Sequence, residues 1–358
     1  MYYENKESCF SLRKDRNLAV ILYSSGTTGQ RKGVMLSHYS ITNNALHIIE
    51  MKNMQRESVQ YTYKPFSHSA TLVGELLASL ICGNKLIISS TKVMLNIHLR
   101  NIEKYSVSHF SINPSVGAML VKMNDMRNYN FRTLKKVICC GSKLSVSLIE
   151  ELQIMFGATV INAYGLTELG PMVAFTGVGK EYKINNLYKE TASVGQVLED
   201  VQIKIVLDNG KEASTNEVGE LFVKTPMVMD GYVNRQFEFV DGYYRTGDMG
   251  YFDKNRNLYV VGRKDRMFIT SGHNIFPEAI ENIIYHSGIV EDCLIRTEKK
   301  SYGMVIVCDY IARNDNEVET IHLLREFCKK NLATYEIPKK FNLIDKIQYT
   351  LNGKVKVN

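Results

Sequence analysis

A segment rich in glycine and hydroxyl residues near the start of the chain could bind phosphate. It reads Tyr23-Ser24-Ser25-Gly26-Thr27-Thr28-Gly29-Gln30-Arg31-Lys32-Gly33-Val34. The glycines let the backbone approach a ligand closely, the hydroxyls can donate to phosphate oxygens, and Lys32 adds positive charge. The spacing differs from the nucleotide-binding loop that ends in Gly-Lys-Ser/Thr. A flexible loop often has this composition, so the order of the residues carries the phosphate-binding prediction.

Four further short motifs follow in chain order. They are Tyr164-Gly165-Leu166-Thr167-Glu168, Tyr244-Arg245-Thr246-Gly247-Asp248, Gly262-Arg263-Lys264-Asp265 and Gly353-Lys354. Each has a simpler structural explanation when it is taken alone, such as a turn at the glycine of a Gly-Asp pair. A turn does not explain why an acidic residue follows Thr167.

Together the five motifs closely resemble those of the adenylate-forming superfamily. This superfamily contains acyl-CoA synthetases, firefly-type luciferases and nonribosomal adenylation domains. The similarity runs from about residue 18 to the end of the chain and is closest to acyl- or aryl-CoA ligases. The usual proline before Lys32 is Arg31 here, and Cys140-Gly141-Ser142 stands where the family has Gly-Gly-Ala. Five motifs in the family's order argue against an accidental resemblance.

The resemblance implies a role for each matching residue. Thr167 would contact the α-phosphate, Glu168 would bind Mg²⁺, and Lys354 would be the catalytic lysine of adenylation. Asp265 would lie at an interdomain hinge. The implied nucleotide-binding residues are Ser24, Ser25, Gly26, Thr27, Thr28, Gly29, Lys32, Gly141, Ser142, Asn162, Ala163, Tyr164, Asp248 and Arg263.

The chemistry implied by the resemblance sets a carboxylate against the negatively charged α-phosphorus of ATP. An enzyme must therefore supply positive charge where negative charge develops. Lys354 and Mg²⁺ held by Glu168 would supply this charge. A rotation of the small domain about Asp265 would then admit coenzyme A to the acyl-adenylate. The expected cofactors are ATP and Mg²⁺, with coenzyme A as co-substrate.

Residues 65–68, Pro65-Phe66-Ser67-His68, resemble the segment that borders the family's acid pocket. Domains that activate α-amino acids place an aspartate where Ser67 stands. A buried ammonium without a counter-charge is costly, so α-amino acids are disfavoured. His68 matches a histidine of many CoA ligases and is counted with the catalytic residues, although a hydrogen-bonded loop histidine is an alternative. Fatty and aryl acids are not separated by these residues.

Apolar runs at residues 19–23, 136–139 and 159–162 predict buried strands. Between the last two, Ser147 and Glu150 form a possible helix-capping box. Strands interleaved with helices predict an α/β fold with a mixed, mainly parallel, layered sheet. Turn signals over residues 194–261 predict a β-rich subdomain. Pro277 can open a helix in a small α+β lid domain. We expect domains at 1–264 and 265–358.

Composition and charge argue against several classes of function. The chain has 358 residues and a net charge of +7 without a clustered basic stretch, so we expect no nucleic-acid partner. No apolar stretch is long enough for a signal peptide or a membrane span, and the seven cysteines lack paired spacing. A cytoplasmic location is expected. The family carries a long region before the phosphate loop, so the chain resembles a truncated member that could self-associate or need a partner.

Three functional hypotheses remain open. The preferred one is a CoA ligase that acts on an apolar acid. The second is an adenylating domain that loads a carrier protein, and the third is a nucleotide-binding remnant without turnover. Ser67 argues against the commonest form of the second, while Lys354, Glu168 and Asp248 argue against the third.

Overall fold

The computed structural model describes residues 16–25, 31–90, 94–123, 129–177, 191–233, 236–237, 239–270, 273–300, 303–313 and 316–347. The strands are β1 (Leu18–Ser25), β2 (Arg31–Ser37), β3 (Val59–Thr62), β4 (Lys85–Ile88), β5 (His109–Ile112), β6 (Lys136–Cys140), β7 (Thr159–Gly165), β8 (Met172–Phe175), β9 (Gln196–Val197), β10 (Gln202–Val206), β11 (Gly219–Lys224), β12 (Gly231–Tyr232), β13 (Tyr244–Phe252), β14 (Leu258–Arg263), β15 (Phe268–Thr270), β16 (His273–Ile275), β17 (Val290–Lys300), β18 (Gly303–Ala312) and β19 (Lys340–Leu343). The helices are α1 (His38–Lys52), α2 (Ser69–Thr71), α3 (Ala78–Cys82), α4 (Leu95–Lys104), α5 (Pro114–Val121), α6 (Val146–Phe156), α7 (Pro277–His286) and α8 (Glu317–Asn331). A π-helical segment, Leu72–Leu77, joins α2 to α3, and a 3₁₀ turn covers Thr167–Leu169.

The largest sheet of the described chain has the strand order β4-β3-β5-β6-β7-β8-β9. Strands β3 to β7 pair in parallel, and β8 and β9 continue the sheet as antiparallel strands at one edge. Successive residues of β6 point to opposite faces, so Val137 packs with Phe110 and Leu152 while Ile138 packs with Ile48. Apolar cores therefore lie on both faces, which explains the continuous apolar runs of these strands. The predicted mixed, mainly parallel α/β sheet is confirmed.

Two smaller sheets follow along the chain. The first is antiparallel, with the order β10-β11-β13-β14, and falls within the predicted β-rich stretch. The second has the order β17-β18-β19 and packs against α7 and α8 around a core of its own. Pro277 is the first residue of α7, as predicted, because proline has no N–H to leave unbonded there.

The division at residue 264 stays a prediction. Most of the C-terminal apolar core lies within residues 275–341. A separate cluster packs Tyr251 and Tyr259 of the antiparallel sheet against Phe276 and Ala279, so buried contacts cross the predicted boundary. The two tyrosine rings stack with 4.8 Å between their centroids.

Two local predictions are wrong. Among the described strands, β1 pairs only with β2, and it exposes Ile21 (38%) and Tyr23 (59%), so it is a half-buried edge strand rather than a buried one. The N-cap of α6 is Ser145, which accepts a hydrogen bond from the Leu148 backbone, and not Ser147. An apolar run could not reveal an edge position, and the two serines, two residues apart, are alternative caps.

Apolar side chains are exposed near the β4 edge of the large sheet. Leu80 is 64% exposed and Ile88 is 60% exposed. Among the helices that the structure describes, none combines the length and apolar character needed to cross a membrane.

Candidate functional site

The phosphate-loop motif spans a β-hairpin. Ser24 of β1 faces Lys32 of β2, and Ser25 faces Arg31, the last pair before the connecting residues. Gly26, Thr27, Thr28 and Gly29 lie outside the described residues. The Lys32 ammonium lies 5.7 Å from the centroid of the Tyr232 ring, within the range of a cation–π contact. Lys32 therefore places positive charge on the paired strands that flank residues 26–30.

Three of the predicted nucleotide-binding residues form one hydrogen-bonded unit. The Tyr164 hydroxyl donates to Asp248 Oδ2 at 2.6 Å, and Arg263 Nη1 donates to Asp248 Oδ1 at 3.0 Å. Burial and the neighbouring Asp248 carboxylate raise the pKa of Tyr164, so its hydroxyl stays protonated and acts as a donor. Gly247, with φ 73°, and the Thr246 hydroxyl, which accepts from the Asp248 backbone, shape the turn that presents this carboxylate.

The predicted magnesium ligand, Glu168, is oriented by a tyrosine. Its side chain lies in the 3₁₀ turn, and the residue is 8% exposed. Tyr232 donates to Glu168 Oε1 at 3.0 Å, and the Tyr232 and Tyr244 hydroxyl oxygens are 3.0 Å apart. Burial, more than the nearby carboxylate, raises the pKa of Tyr232, so the phenol remains a donor. This contact was missed from the sequence, where only the Gly231-Tyr232 pair marks the position.

The carboxylate of Glu168 suits Mg²⁺. Magnesium is usually held by one or two carboxylates together with substrate phosphates, so a single buried glutamate beside a phosphate loop is an appropriate donor set. Within the described ranges there is no group of three or more His, Cys, Asp or Glu residues that could hold a metal by themselves.

The segment thought to border the acid lies against the 3₁₀ turn. The hydroxyl oxygens of Ser69 and Thr167 are 3.0 Å apart, a link that the sequence did not reveal. His68 is the N-cap of α2 without a side-chain capping bond. Burial, and then the charge of Lys64, lower the pKa of His68, so its imidazole is neutral at pH 7. Ser67 is exposed.

Four further predicted nucleotide-binding residues fall into two groups. Gly141 and Ser142 are exposed in the bend after β6, and Gly141 has φ 97°. Asn162 and Ala163 are buried within β7. The Asn162 side-chain amide donates to the Ser193 carbonyl at 2.9 Å, so this side chain holds two segments of the chain together.

The predicted hinge residue is flanked by two anchored cations. Lys264 Nζ lies 2.9 Å from Asp208 and 3.1 Å from Glu220, both in the antiparallel-sheet region. Arg266 bonds instead to helix α7, at 2.6 Å from Glu281. Asp265 lies between them and accepts from the Arg263 side chain at 3.3 Å. The predicted catalytic Lys354 lies outside the described residues.

Comparison with known proteins agrees with this arrangement. The model of the AMP-binding enzyme family matches residues 5–233. A 2-succinylbenzoate–CoA ligase of Bacillus licheniformis is 31% identical over 346 residues, which cover 94% of this chain and 68% of the ligase. A long-chain-fatty-acid–CoA ligase of Haemophilus influenzae is 27% identical, over 95% of this chain and 60% of that ligase. The chain thus spans about two thirds of the length of these relatives.

Solved structures extend the comparison to the fold. The o-succinylbenzoate CoA synthetase of Bacillus subtilis, in complex with its acyl-adenylate intermediate, superimposes with a TM-score of 0.84 at 26% identity. The match covers 95% of this chain and 68% of the synthetase. Another structure of that synthetase, with ATP and magnesium, matches with a TM-score of 0.82 at 25% identity, covering 95% and 69%. The family match over more than half of the chain, the identity and the shared fold agree: this chain belongs to the AMP-binding enzyme family.

Proposed function

We propose that the chain provides the adenylating site of an acid–thiol ligase, which activates a carboxylic acid with ATP and then transfers the acyl group to coenzyme A. The observation that supports this most is the oriented pair of carboxylates. Asp248 is held by Tyr164 and Arg263, and Glu168 is held by Tyr232. One carboxylate suits ribose hydroxyls and the other suits a metal on phosphates.

Each of these residues has a distinct task in the proposed reaction. Asp248 accepts hydrogen bonds from the ribose, while Arg263 keeps this carboxylate oriented. Thr167, held by Ser69, donates to the α-phosphate. Glu168 would hold magnesium, which would supply positive charge to neutralise the phosphates. Lys32 adds positive charge near the departing pyrophosphate, in line with the need to stabilise developing negative charge.

The acid would bind beside the 65–69 segment, with its carboxylate directed toward Thr167. His68 borders this region and is neutral at pH 7, so it can both donate and accept a hydrogen bond. We assign Lys354 to the bridge between the acid carboxylate and the α-phosphate, on the resemblance of its motif alone. Asp265 is the proposed hinge for the thiol-transfer step.

Acid-dependent ATP–pyrophosphate exchange tests the first half-reaction. The purified chain is incubated with ATP, Mg²⁺, labelled pyrophosphate and panels of fatty, aryl, dicarboxylic and amino acids. Exchange with at least one acid supports adenylation, and nucleotide binding without exchange would indicate a remnant. Mass spectrometry after addition of coenzyme A then tests thioester formation. Exchange without a coenzyme A thioester would favour the loading of a carrier protein.

A further inference from the structure

Two lysines and a glutamate lie together on one side of strand β3. Lys64 Nζ lies 2.8 Å from Glu75 Oε1, and the Glu75 side chain is 2% exposed. Lys52 is also 2% exposed. Its ammonium donates to Gln60 Oε1 at 3.1 Å and to the Gly74 carbonyl at 2.6 Å. All three charged groups are therefore shielded from solvent.

The charges of this cluster do not cancel. Glu75 neutralises Lys64, whereas the two hydrogen-bond acceptors of Lys52 are both neutral. Burial lowers the pKa of Lys52 to about 8, so it still carries its proton at pH 7. Two lysines and one glutamate leave one net positive charge. A buried charge without a counter-charge is costly, so the site favours an added anion.

Three buried hydroxyl groups accompany these charges. Thr62, Thr71 and Ser79 are each at most 2% exposed, and their hydroxyls have no hydrogen-bond partner in the part of the chain that is described. Thr62 is the last residue of β3 and shares a face with Gln60, which accepts from Lys52, because alternate residues of a strand share a face. Thr71 and Ser79 lie one helical turn before and after Glu75. Buried hydroxyls without partners are costly, and each can donate to an anion.

The cluster lies directly behind the segment that borders the acid. Lys64 is close enough to His68 to lower its pKa, and Ser69 of the same segment contacts Thr167. Glu75 itself belongs to the π-helical segment Leu72–Leu77. Such π-helical turns occur frequently at functional sites. Lys64 immediately precedes Pro65 in the chain, so the cluster adjoins the predicted acid-binding segment.

We propose that this cluster binds a second carboxylate of the substrate, so that the acid activated here is a dicarboxylic acid. The proposal rests on the proposed adenylating function. A second carboxylate brings the net charge of the cluster to zero, and the hydroxyls can donate to it. Glu75 acting alone would favour an ammonium, but an ammonium would raise the net charge to +2. A dicarboxylic acid replaces the apolar acid expected from the sequence.

Matched acids test the proposal by ATP–pyrophosphate exchange. Each series holds chain length constant and compares a dicarboxylic acid, its monocarboxylic analogue and its ω-amino analogue, from four to eight carbons. We expect the dicarboxylic acid of at least one length to have a kcat/KM at least about tenfold above that of the monocarboxylic acid. A preference for the monocarboxylic or the ω-amino acid at every length would overturn the proposal.

Two variants separate recognition from folding. Lys64→Met should abolish the preference for the dicarboxylic acid and preserve exchange with the monocarboxylic one. Lys64→Met combined with Glu75→Met removes the whole ion pair and leaves no buried lone carboxylate. Because Lys52 keeps the net charge of the cluster at +1, this double variant should retain part of the preference for the dicarboxylic acid. Lys135→Met, at an exposed position, is the matched control. Equal loss of exchange with both acids in the double variant would indicate a structural role and overturn the proposal.

A binding measurement distinguishes this proposal from the proposed function. If no acid supports exchange, the adenylating function fails, and thermal unfolding with each acid alone decides the binding claim. A rise in Tm with the dicarboxylic acid, in the wild type but not in Lys64→Met, would support the second-carboxylate site. No rise in the wild type with any dicarboxylic acid would overturn it.

Discussion

The Tyr164 hydroxyl lies 2.6 Å from Asp248 Oδ2, although the two residues are 84 positions apart in the chain. This hydrogen bond joins β7 of the large sheet to β13 of the antiparallel sheet. The other oxygen of Asp248 accepts from Arg263. Both oxygens are therefore oriented before a ligand arrives, and a fixed carboxylate loses little freedom when it binds ribose hydroxyls.

Tyr164→Phe should weaken ATP binding and leave the reaction rate of bound ATP little changed. Removing a hydrogen bond to a charged group typically costs about 1.5–3 kcal/mol, so we expect the KM for ATP to rise about tenfold or more with kcat little changed. Tyr243→Phe is a matched control because its hydroxyl bonds Gln202, away from Asp248. An unchanged KM in Tyr164→Phe would show that the bond does not serve the nucleotide.

Tyr232→Phe should raise the magnesium requirement. Without the 3.0 Å hydrogen bond, the Glu168 carboxylate loses its fixed orientation, and outer contacts of this kind typically change metal affinity about tenfold or more. The magnesium dependence of exchange measures the effect, and Mn²⁺ binding in the presence of ATP, followed by electron paramagnetic resonance, measures it without turnover. The Tyr244 hydroxyl contacts the Tyr232 hydroxyl, so its effect on Glu168 is indirect. Tyr244→Phe should therefore have the smaller effect. Equal effects would refute the orienting role.

Glu278 should make stability depend on pH. Burial raises its pKa to about 7, against the opposing effect of Arg266. The folded chain then holds this proton more tightly than the unfolded chain, so the contribution to stability is present below the ordinary pKa of 4.5 and is lost as pH rises through about 7. The advantage of Glu278→Gln over the wild type in free energy of unfolding should therefore be about 1–3 kcal/mol larger at pH 8 than at pH 5.

Urea unfolding between pH 5 and pH 8 measures this difference. Glu150→Gln, on the exposed side of α6, is the control and should change stability by less than about 0.5 kcal/mol at either pH. A constant difference between Glu278→Gln and the wild type across the range would contradict the assignment.

Lys354→Ala should abolish adenylation and spare thioester formation from a supplied acyl-adenylate. The charge that this lysine is proposed to meet develops only in the first step, so its loss should not affect the second. Exchange kinetics measure the first half-reaction, and mass spectrometry of the coenzyme A product measures the second. Loss of both half-reactions by the same factor would remove Lys354 from its proposed role.

Sequence patterns predicted two strands of the large sheet, β6 and β7, because burial on both faces leaves a direct signal. Residues 137–139 are apolar, and they lie in the strand Lys136–Cys140. Strand β1 shows the limit of this reasoning. Its apolar residues resemble those of a buried strand, but its position at a sheet edge depends on which segments fold against it, and it exposes Tyr23.

The motifs identified candidate site residues but not the side chains that orient them. Asp248 and Glu168 were chosen because each matches an acidic position in a motif of the adenylate-forming superfamily. Tyr232 was missed because it approaches Glu168 from 64 positions away, and a tyrosine after a glycine is not distinctive. Lys64 and Glu75 were missed for the same reason, since their charges meet only after a strand and a helix pack together.

Ionic strength should affect the proposed hinge, because the charges of Lys264, Asp265 and Arg266 alternate in sign. Lys264 pairs with Asp208, whose side chain is 67% exposed, whereas Arg266 and Glu281 are 17% and 14% exposed. Added salt screens exposed pairs more than buried ones. Salt should therefore weaken the Lys264–Asp208 pair before the Lys264–Glu220 and Arg266–Glu281 pairs, so that one of the two ion pairs between Lys264 and the antiparallel-sheet region is the first to weaken.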